Sequence, residues 1–300
     1  MQPENWLQKT DDHCFPAAAR ATTRSWVICR EFSSFGSTPQ CGSTMMLADD
    51  GGATVPVSDV PPGWCDIVGD GRMGRALSAA LRATGITVRG PLARGADGAG
   101  AALVVLCVPD REIARASAAI SAGALVGHVS ASADLALLAP HERFAMHPLL
   151  SVVGANARFA GATCVVEGST VRATGVARAL ADRLGMTARV IAPGQRPLYH
   201  AAATMASNYL VTLEANAERL ARLVGLDRSA LVPLVRATIE QWAALGAREA
   251  LTGPIARGDE ETVARQRAAV AEAAPDMVVM WDSLVAATRS LADAPPGVAQ

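Results

Sequence analysis

Gly69-Asp70-Gly71-Arg72-Met73-Gly74 has the spacing G-x-G-x-x-G. Each glycine of that pattern answers a need of a backbone that holds a pyrophosphate: the first permits a tight turn, the second lets the chain approach the phosphates, and the third allows close helix-to-strand packing. A helix that starts there turns free N–H groups and a positive dipole toward the anion. An acidic residue about 20 positions farther on would bind the ribose 2′-hydroxyl of NAD, whereas a basic one accommodates the 2′-phosphate of NADP. Arg89 stands at that distance, Arg94 follows, and no carboxylate lies between Asp70 and Asp97, so the pattern points to NADP, with NAD less favoured. The alternative for both arginines is a solvated residue at a strand end.

Further candidates close apolar runs. Val108-Pro109-Asp110 ends one such run, and in an open α/β sheet the carboxyl ends of strands border the ligand crevice. Val108, Pro109 and Asp110 are therefore expected beside the cofactor, although Asp110 also reads as the N-cap of the next helix. Ser130, with Ser132, and His147-Pro148 end two more runs and should converge on the same crevice. His147 could exchange the proton that accompanies hydride transfer, its unperturbed pKa of about 6.5 suiting acid and base roles near neutrality; capping a strand end is its other reading. His128 lies inside a run and reads as a satisfied core residue. His200, Thr204, Ser207 and Asn208 share one face of an apolar helix at i, i+4, i+7 and i+8, a polar stripe suited to a substrate or to neighbouring helices. Arg257 precedes Asp259, an expected N-cap, and is offered to an anionic group.

The elements that must carry these groups begin at Trp64. Strands are expected at Cys65–Val68, Ile86–Arg89, Ala102–Val108, Leu125–Ser130, Arg143–His147, Thr163–Glu167 and Ala188–Ala192. Between some of them lie amphipathic patterns: one from Met73 to a stop at Gly85, then Asp110–Ser121 and Val171–Leu184. Continuous rather than alternating apolar runs suit a parallel sheet covered on both faces. The fold class is therefore α/β, a doubly wound Rossmann sheet over residues 64–193. Beyond Pro193 only helical patterns follow, at Arg196–Val224, Asp227–Leu245, Asp259–Ala274 and Pro275–Leu291, giving an all-helical domain over 194–292 and a disordered tail at 293–300. Residues 1–63 show no hydrophobic period and read as a disordered lead, with a true translation start expected near Met45.

Bulk composition narrows the partners. With 27 basic and 28 acidic residues spread along 300, the chain has no electrostatic footprint for nucleic acid or an anionic membrane. No run reaches the roughly 18 apolar residues of a membrane span, so a cytoplasmic protein with a small-molecule ligand is expected. The six cysteines show no metal-ligand spacing and read as small buried hydrophobes, so no metal is expected.

In this order the motifs resemble the family catalogued as domain of unknown function 2520, a Rossmann domain followed by a helical domain similar to the C-terminal half of 6-phosphogluconate dehydrogenase. The resemblance runs from about Asp66 to Leu291. It is carried by the glycine turn, Val108-Pro109-Asp110, Met146-His147-Pro148-Leu149, Leu198-Tyr199-His200-Ala201-Ala202, Ala206-Ser207-Asn208-Tyr209-Leu210 and Ala250-Leu251-Thr252-Gly253-Pro254-Ile255-Ala256-Arg257-Gly258-Asp259. It implies an NAD(P)-dependent oxidoreductase related to ketopantoate reductase and pyrroline-5-carboxylate reductase, without a settled substrate and paired as a homodimer through the helical domain; a small anionic oxo or imino acid is the substrate expected here. Asn208 and Thr204 would contact substrate, Arg257 would hold its carboxylate, and His147 or His200 would exchange the proton. In several such relatives a lysine one turn before the asparagine acts on the substrate oxygen; here Thr204 stands in that place and the sole lysine is Lys9. The departure opens a second reading, an NADP(H)-binding regulatory or partner protein without turnover.

Overall fold

The computed structural model describes residues 63–154 and 157–295. The expectations for the lead before Gly63, including a start near Met45, and for the chain beyond residue 295 fall outside them. Short apolar runs and amphipathic helices alternate as β1 (Cys65–Val68), α1 (Arg72–Ala83), β2 (Val88–Leu92), β3 (Leu103–Leu106), α2 (Asp110–Ala118) and β4 (Leu125–His128). A 3-10 turn at Leu135–Leu138 then leads to β5 (Arg143–Pro148), β6 (Thr163–Gly168), α3 (Val171–Arg183) and β7 (Thr187–Arg189). The seven strands form one sheet in the order β2-β1-β3-β4-β5-β6-β7, parallel except for the antiparallel pair β5 and β6. From β1 the chain winds outward to β2, then returns past β1 to β3, so the direction reverses between β1 and β3, the position where open α/β sheets leave a crevice.

Both faces of the sheet are covered, which explains the unbroken apolar runs. Ile67, Leu103 and Val105 pack with Leu77, Leu81 and Leu180 on one face; Val104, Leu106 and Val126 pack with Ile113, Ile120 and Leu138 on the other. Beyond Pro193 no further strand forms among the described residues. Helices follow at α4 (Arg196–Thr204), a π-helical turn (Met205–Tyr209), α5 (Leu210–Leu223), α6 (Arg228–Leu245), α7 (Ala247–Ala250), α8 (Glu260–Ala273) and α9 (Val278–Asp293).

Several boundaries differ from those expected. The expected helix Arg196–Val224 carries the π-helical turn at its centre, and α7 arises where no helix was read. The last strand forms at Thr187–Arg189 instead of Ala188–Ala192, because Thr187 is the partner of Thr163 at the start of β6. The N-cap of α2 is Pro109, not Asp110, which is the first helical residue and caps nothing. β2 forms at Val88–Leu92 instead of Ile86–Arg89, since pairing with β1 starts at Cys65 and Val88. Pro91 is tolerated because β2 is an edge strand.

That last shift moves Arg89 to the second residue of its strand, opposite Asp66. Its Nε and Nη2 donate to the two carboxylate oxygens of Asp66 at 2.6 and 2.5 Å, its Nη2 also donates to the Ala99 carbonyl, and its guanidinium lies 4.6 Å from the centre of the Trp64 ring. Asp66 is 0% exposed. A buried carboxylate without its partner is expensive, so Arg89→Ala should lower unfolding free energy by about 3 kcal/mol, the lower end for a broken buried pair because the guanidinium is half exposed. Urea denaturation measures this; the double variant Asp66→Leu, Arg89→Leu should recover most of the loss, and a loss below about 1 kcal/mol for Arg89→Ala would remove the pair from the requirements of the fold.

Candidate functional site

The glycine turn sits at the carboxyl end of β1, with the Gly69 N–H donating to the Leu92 carbonyl at the end of β2. Gly69 has a φ of +119°, and a Cβ there would meet the Cys107 carbonyl oxygen at 2.3 Å. A Cβ on Gly74 would come 1.8 Å from the Gly69 carbonyl oxygen. At Gly71, by contrast, a Cβ would find nothing within 4 Å. Gly71 is also the N-cap of α1, makes no side-chain cap, and no acidic residue occupies the first turn. Open space before uncapped N–H groups fits the pyrophosphate of a dinucleotide. Met73 packs against the core, while Arg72 is exposed beside the opening. Asp70 is held by Arg75 through two hydrogen bonds of 2.7 and 2.9 Å, and the bound guanidinium lowers its carboxyl pKa.

For the far end of a dinucleotide the two arginines separate. Arg89 is paired with Asp66 and lies three residues short of the end of β2, within the strand and not beyond it. Arg94 lies two residues beyond the end of the strand, exposed, at the rim.

The ends of β3, β4 and β5 bring polar groups together as expected. Val108 packs on the core and Pro109 turns the chain into α2, so that Asp110 accepts a hydrogen bond from the Ser132 hydroxyl at 2.5 Å. Ser130 Oγ accepts from the backbone N–H groups of Ser132 and Ala133, folding the loop after β4 back on itself. Arg196, 7% exposed at the start of α4, braces that loop: its Nη1 donates to the Ala131 and Ala133 carbonyls and its Nε to Glu167 on β6. Sequence reading missed Arg196 and Glu167. An arginine opening an apolar helix was the available signal, but its partners lie 29 and more residues away on other elements.

His147, near the end of β5, shares a hydrogen bond of 2.6 Å with Tyr199, whose ring meets it edge-on. Burial, followed by the neighbouring His200 and Arg196, pushes the His147 pKa down to about 4. Burial pushes Tyr199 up to about 12. Both rings are therefore neutral across the physiological range, and His147 is not an imidazolium. His128 is 0% exposed and its pKa is likewise lowered to about 4 by burial and then by Arg196; its Nδ1 accepts from the Ser130 N–H, while Nε2 has no partner. The expectation of a satisfied core histidine holds for one nitrogen only.

A pocket of about 450 Å³ opens between the loop after β4 and the first helical turns, lined by Ser132, Pro197, His200, Thr204, Met205 and Tyr209. His200 and Thr204 thus meet there, and Tyr209 joins them unforeseen. Thr204 Oγ1 donates to the His200 carbonyl and Ser207 Oγ to the Ala203 carbonyl, so both hydroxyls are engaged with their own helix. Asn208 falls within the π-helical turn, is exposed, and does not line the pocket; its Oδ1 accepts from Ser207. The extra residue of a π turn rotates later side chains away from an i+4 register, which is why the expected stripe ends at Thr204. Arg257 is exposed in the turn before α8 and does not line the pocket, whereas Asp259 caps α8 by accepting from the Thr262 N–H.

The lowered histidines make stability depend on pH with a definite sign. Between pH 6.5 and 4 the unfolded chain binds protons at His128 and His147 that the folded chain refuses, so stability is full above about pH 6.5 and falls as pH drops toward 4. For His128 the loss at pH 5 is on the order of 2 kcal/mol. Thermal melts should show Tm dropping from pH 7 to pH 5 in the wild type and dropping less in His147→Gln; identical pH slopes would contradict the neutral, buried imidazole.

Comparison with known proteins places this geometry. No protein of curated function matches the sequence. Among solved structures, a Bacteroides fragilis protein named as an NADP oxidoreductase is similar at 20% identity and TM-score 0.65, over 76% of this chain and 98% of that one. A protein from Thermotoga maritima is similar at 23% identity and TM-score 0.64, with the same coverage. A reductive aminase from Aspergillus terreus in complex with NADPH and ethyl levulinate follows at 17% identity and TM-score 0.58, over 77% and 98%. At these identities what is shared is the fold, a Rossmann-type sheet followed by helices. Residues 162–288 match the family model described as Domain of unknown function (DUF2520), a span that begins within the sheet one residue before β6. Over that span the chain is similar to the DUF2520 family.

Proposed function

We propose that this chain is an NADP-dependent reductase or dehydrogenase acting on a small anionic oxo or imino acid, with residues 64–193 holding the cofactor and residues 194–292 forming a substrate and dimerisation domain in a cytoplasmic protein. The observation that carries the reading is the open, uncapped N-terminus of α1 at Gly71, on the same strand-end rim as the His147 and Tyr199 pair and the pocket beside it. No helix among the described residues is long and apolar enough to cross a membrane. NADPH, when bound, would supply the hydride. Gly71 and the first N–H groups of α1 would take the pyrophosphate, and Arg94 the 2′-phosphate. His200 and Thr204 would line the substrate, while Asn208 lies outside this pocket. Arg257 has no role in this pocket. With Tyr199 as donor to His147 Nδ1, the ring proton would sit on Nε2 and would hydrogen-bond a carbonyl oxygen or imine nitrogen, much as a neutral histidine acts as an electrophile elsewhere. Purified protein should oxidise NADPH with at least one member of a panel of 2-oxo acids and cyclic imines, and His147→Phe should lower kcat by about 10²-fold or more. NADPH bound at micromolar Kd with no turnover across the panel would instead support a nucleotide-binding regulatory or partner protein. That second reading is favoured by Lys9 being the sole lysine and by the neutrality of His147.

The helical region supports a homodimer. α6 and α9 have no buried residue among them, although Leu234, Trp242 and Val279 are 65%, 58% and 79% exposed. Apolar helix faces of that extent are stable when something covers them, and we infer a second copy of this chain. Sedimentation at micromolar concentration should give a dimer that Trp242→Glu dissociates; a wild-type monomer would overturn the pairing.

A further inference from the structure

A second cavity, of about 280 Å³, lies between Arg94 and Gly95 beyond β2 and Glu112, Arg115 and Ala116 on α2, with Ala119 at its C-cap. It adjoins the glycine turn through the backbone, since Arg94 is two residues past Leu92, whose carbonyl receives the Gly69 N–H at 2.8 Å. Its floor is small and apolar: Ala116 is 7% exposed. Its walls are basic. No ion pair engages Arg94 or Arg115 among the described residues, while Glu112, the sole carboxylate in the lining, lies 3.7 Å from the Arg111 guanidinium. A shallow apolar floor between two uncommitted guanidinium groups suits a flat ring that carries an anion at its edge, with each arginine able to present two parallel N–H groups to phosphate oxygens. In a dinucleotide extending from the turn, adenosine bearing a 2′-phosphate has that chemistry.

We propose that Arg115 is a specificity-determining residue that grips the 2′-phosphate of NADP from α2, opposite Arg94, so that the phosphate is clasped between two separate elements. This rests on the reading of the glycine turn as an NADP site and adds to it a residue that lies outside the turn and outside β2. Neither the glycine spacing nor the count of about 20 positions points to it, because α2 begins 41 residues after Gly69 and approaches Arg94 only through packing.

Equilibrium binding of four probes, NADPH, NADH, adenosine 2′,5′-bisphosphate and AMP, to full-length wild type, Arg115→Ala and Arg94→Ala tests the clasp. Arg115 is exposed, so its replacement leaves the core intact, and circular dichroism with a thermal melt verifies that. The expected result is a loss of about tenfold to a hundredfold in affinity for NADPH and for the bisphosphate in Arg115→Ala, with NADH and AMP changed by less than about threefold. Equal losses for NADPH and NADH would overturn the phosphate assignment in favour of contact with the shared adenosine. Unchanged affinity for all four in Arg115→Ala, with NADPH weakened in Arg94→Ala, would overturn the role of Arg115 and leave the NADP reading standing. A wild type that binds none of the probes would overturn both.

Discussion

A side chain on Gly74 would place its Cβ 1.8 Å from the Gly69 carbonyl oxygen, and one on Gly69 would reach to 2.3 Å from that of Cys107. Three backbone segments, the end of β1, the first turn of α1 and the end of β3, are packed so closely there that only hydrogen fits between them. The open N-terminus of α1 in the candidate site depends on this contact. The contact holds the N-terminus of α1 at the switch between β1 and β3, with Gly71 facing open space, while strand pairing sets the ends of β3, β4 and β5 in a row beside it. The same closeness explains why the turn tolerates an acidic residue in its second position: Asp70 points outward and is neutralised by Arg75.

Where the sheet meets the helices, the connection is polar and buried. Arg196 joins the first turn of α4 to the loop after β4 and to β6 in one side chain, so the pocket lined by Ser132 and His200 is framed by elements held in a fixed relation. Its guanidinium also adds positive charge near His147 and His128, and with burial this keeps both imidazoles neutral.

Cofactor preference shows how one shift in register changes a residue's task. Counted along the chain, Arg89 occupies the place of a 2′-phosphate ligand. Paired in the sheet, it stands opposite Asp66 and donates to that buried carboxylate, while Arg94 lies exposed beyond the strand and lines a cavity with Arg115.

By itself the sequence determined whatever depends on neighbours along the chain: the glycine turn, the alternation of strands with amphipathic helices, the Asp259 cap, and the change to helices after Pro193, because period, turn chemistry and capping are local. Convergence of Asp110, Ser132 and His147 was also legible, since strand ends in such a sheet share one rim. Tertiary structure alone decided the partner of Arg89, the bracing by Arg196 and Glu167, the tie of Tyr199 to His147, and the π turn that moves Asn208 out of the pocket. Each of these depends on register or packing between segments tens of residues apart, where a displacement of one residue exchanges one partner for another and composition carries no record of the choice.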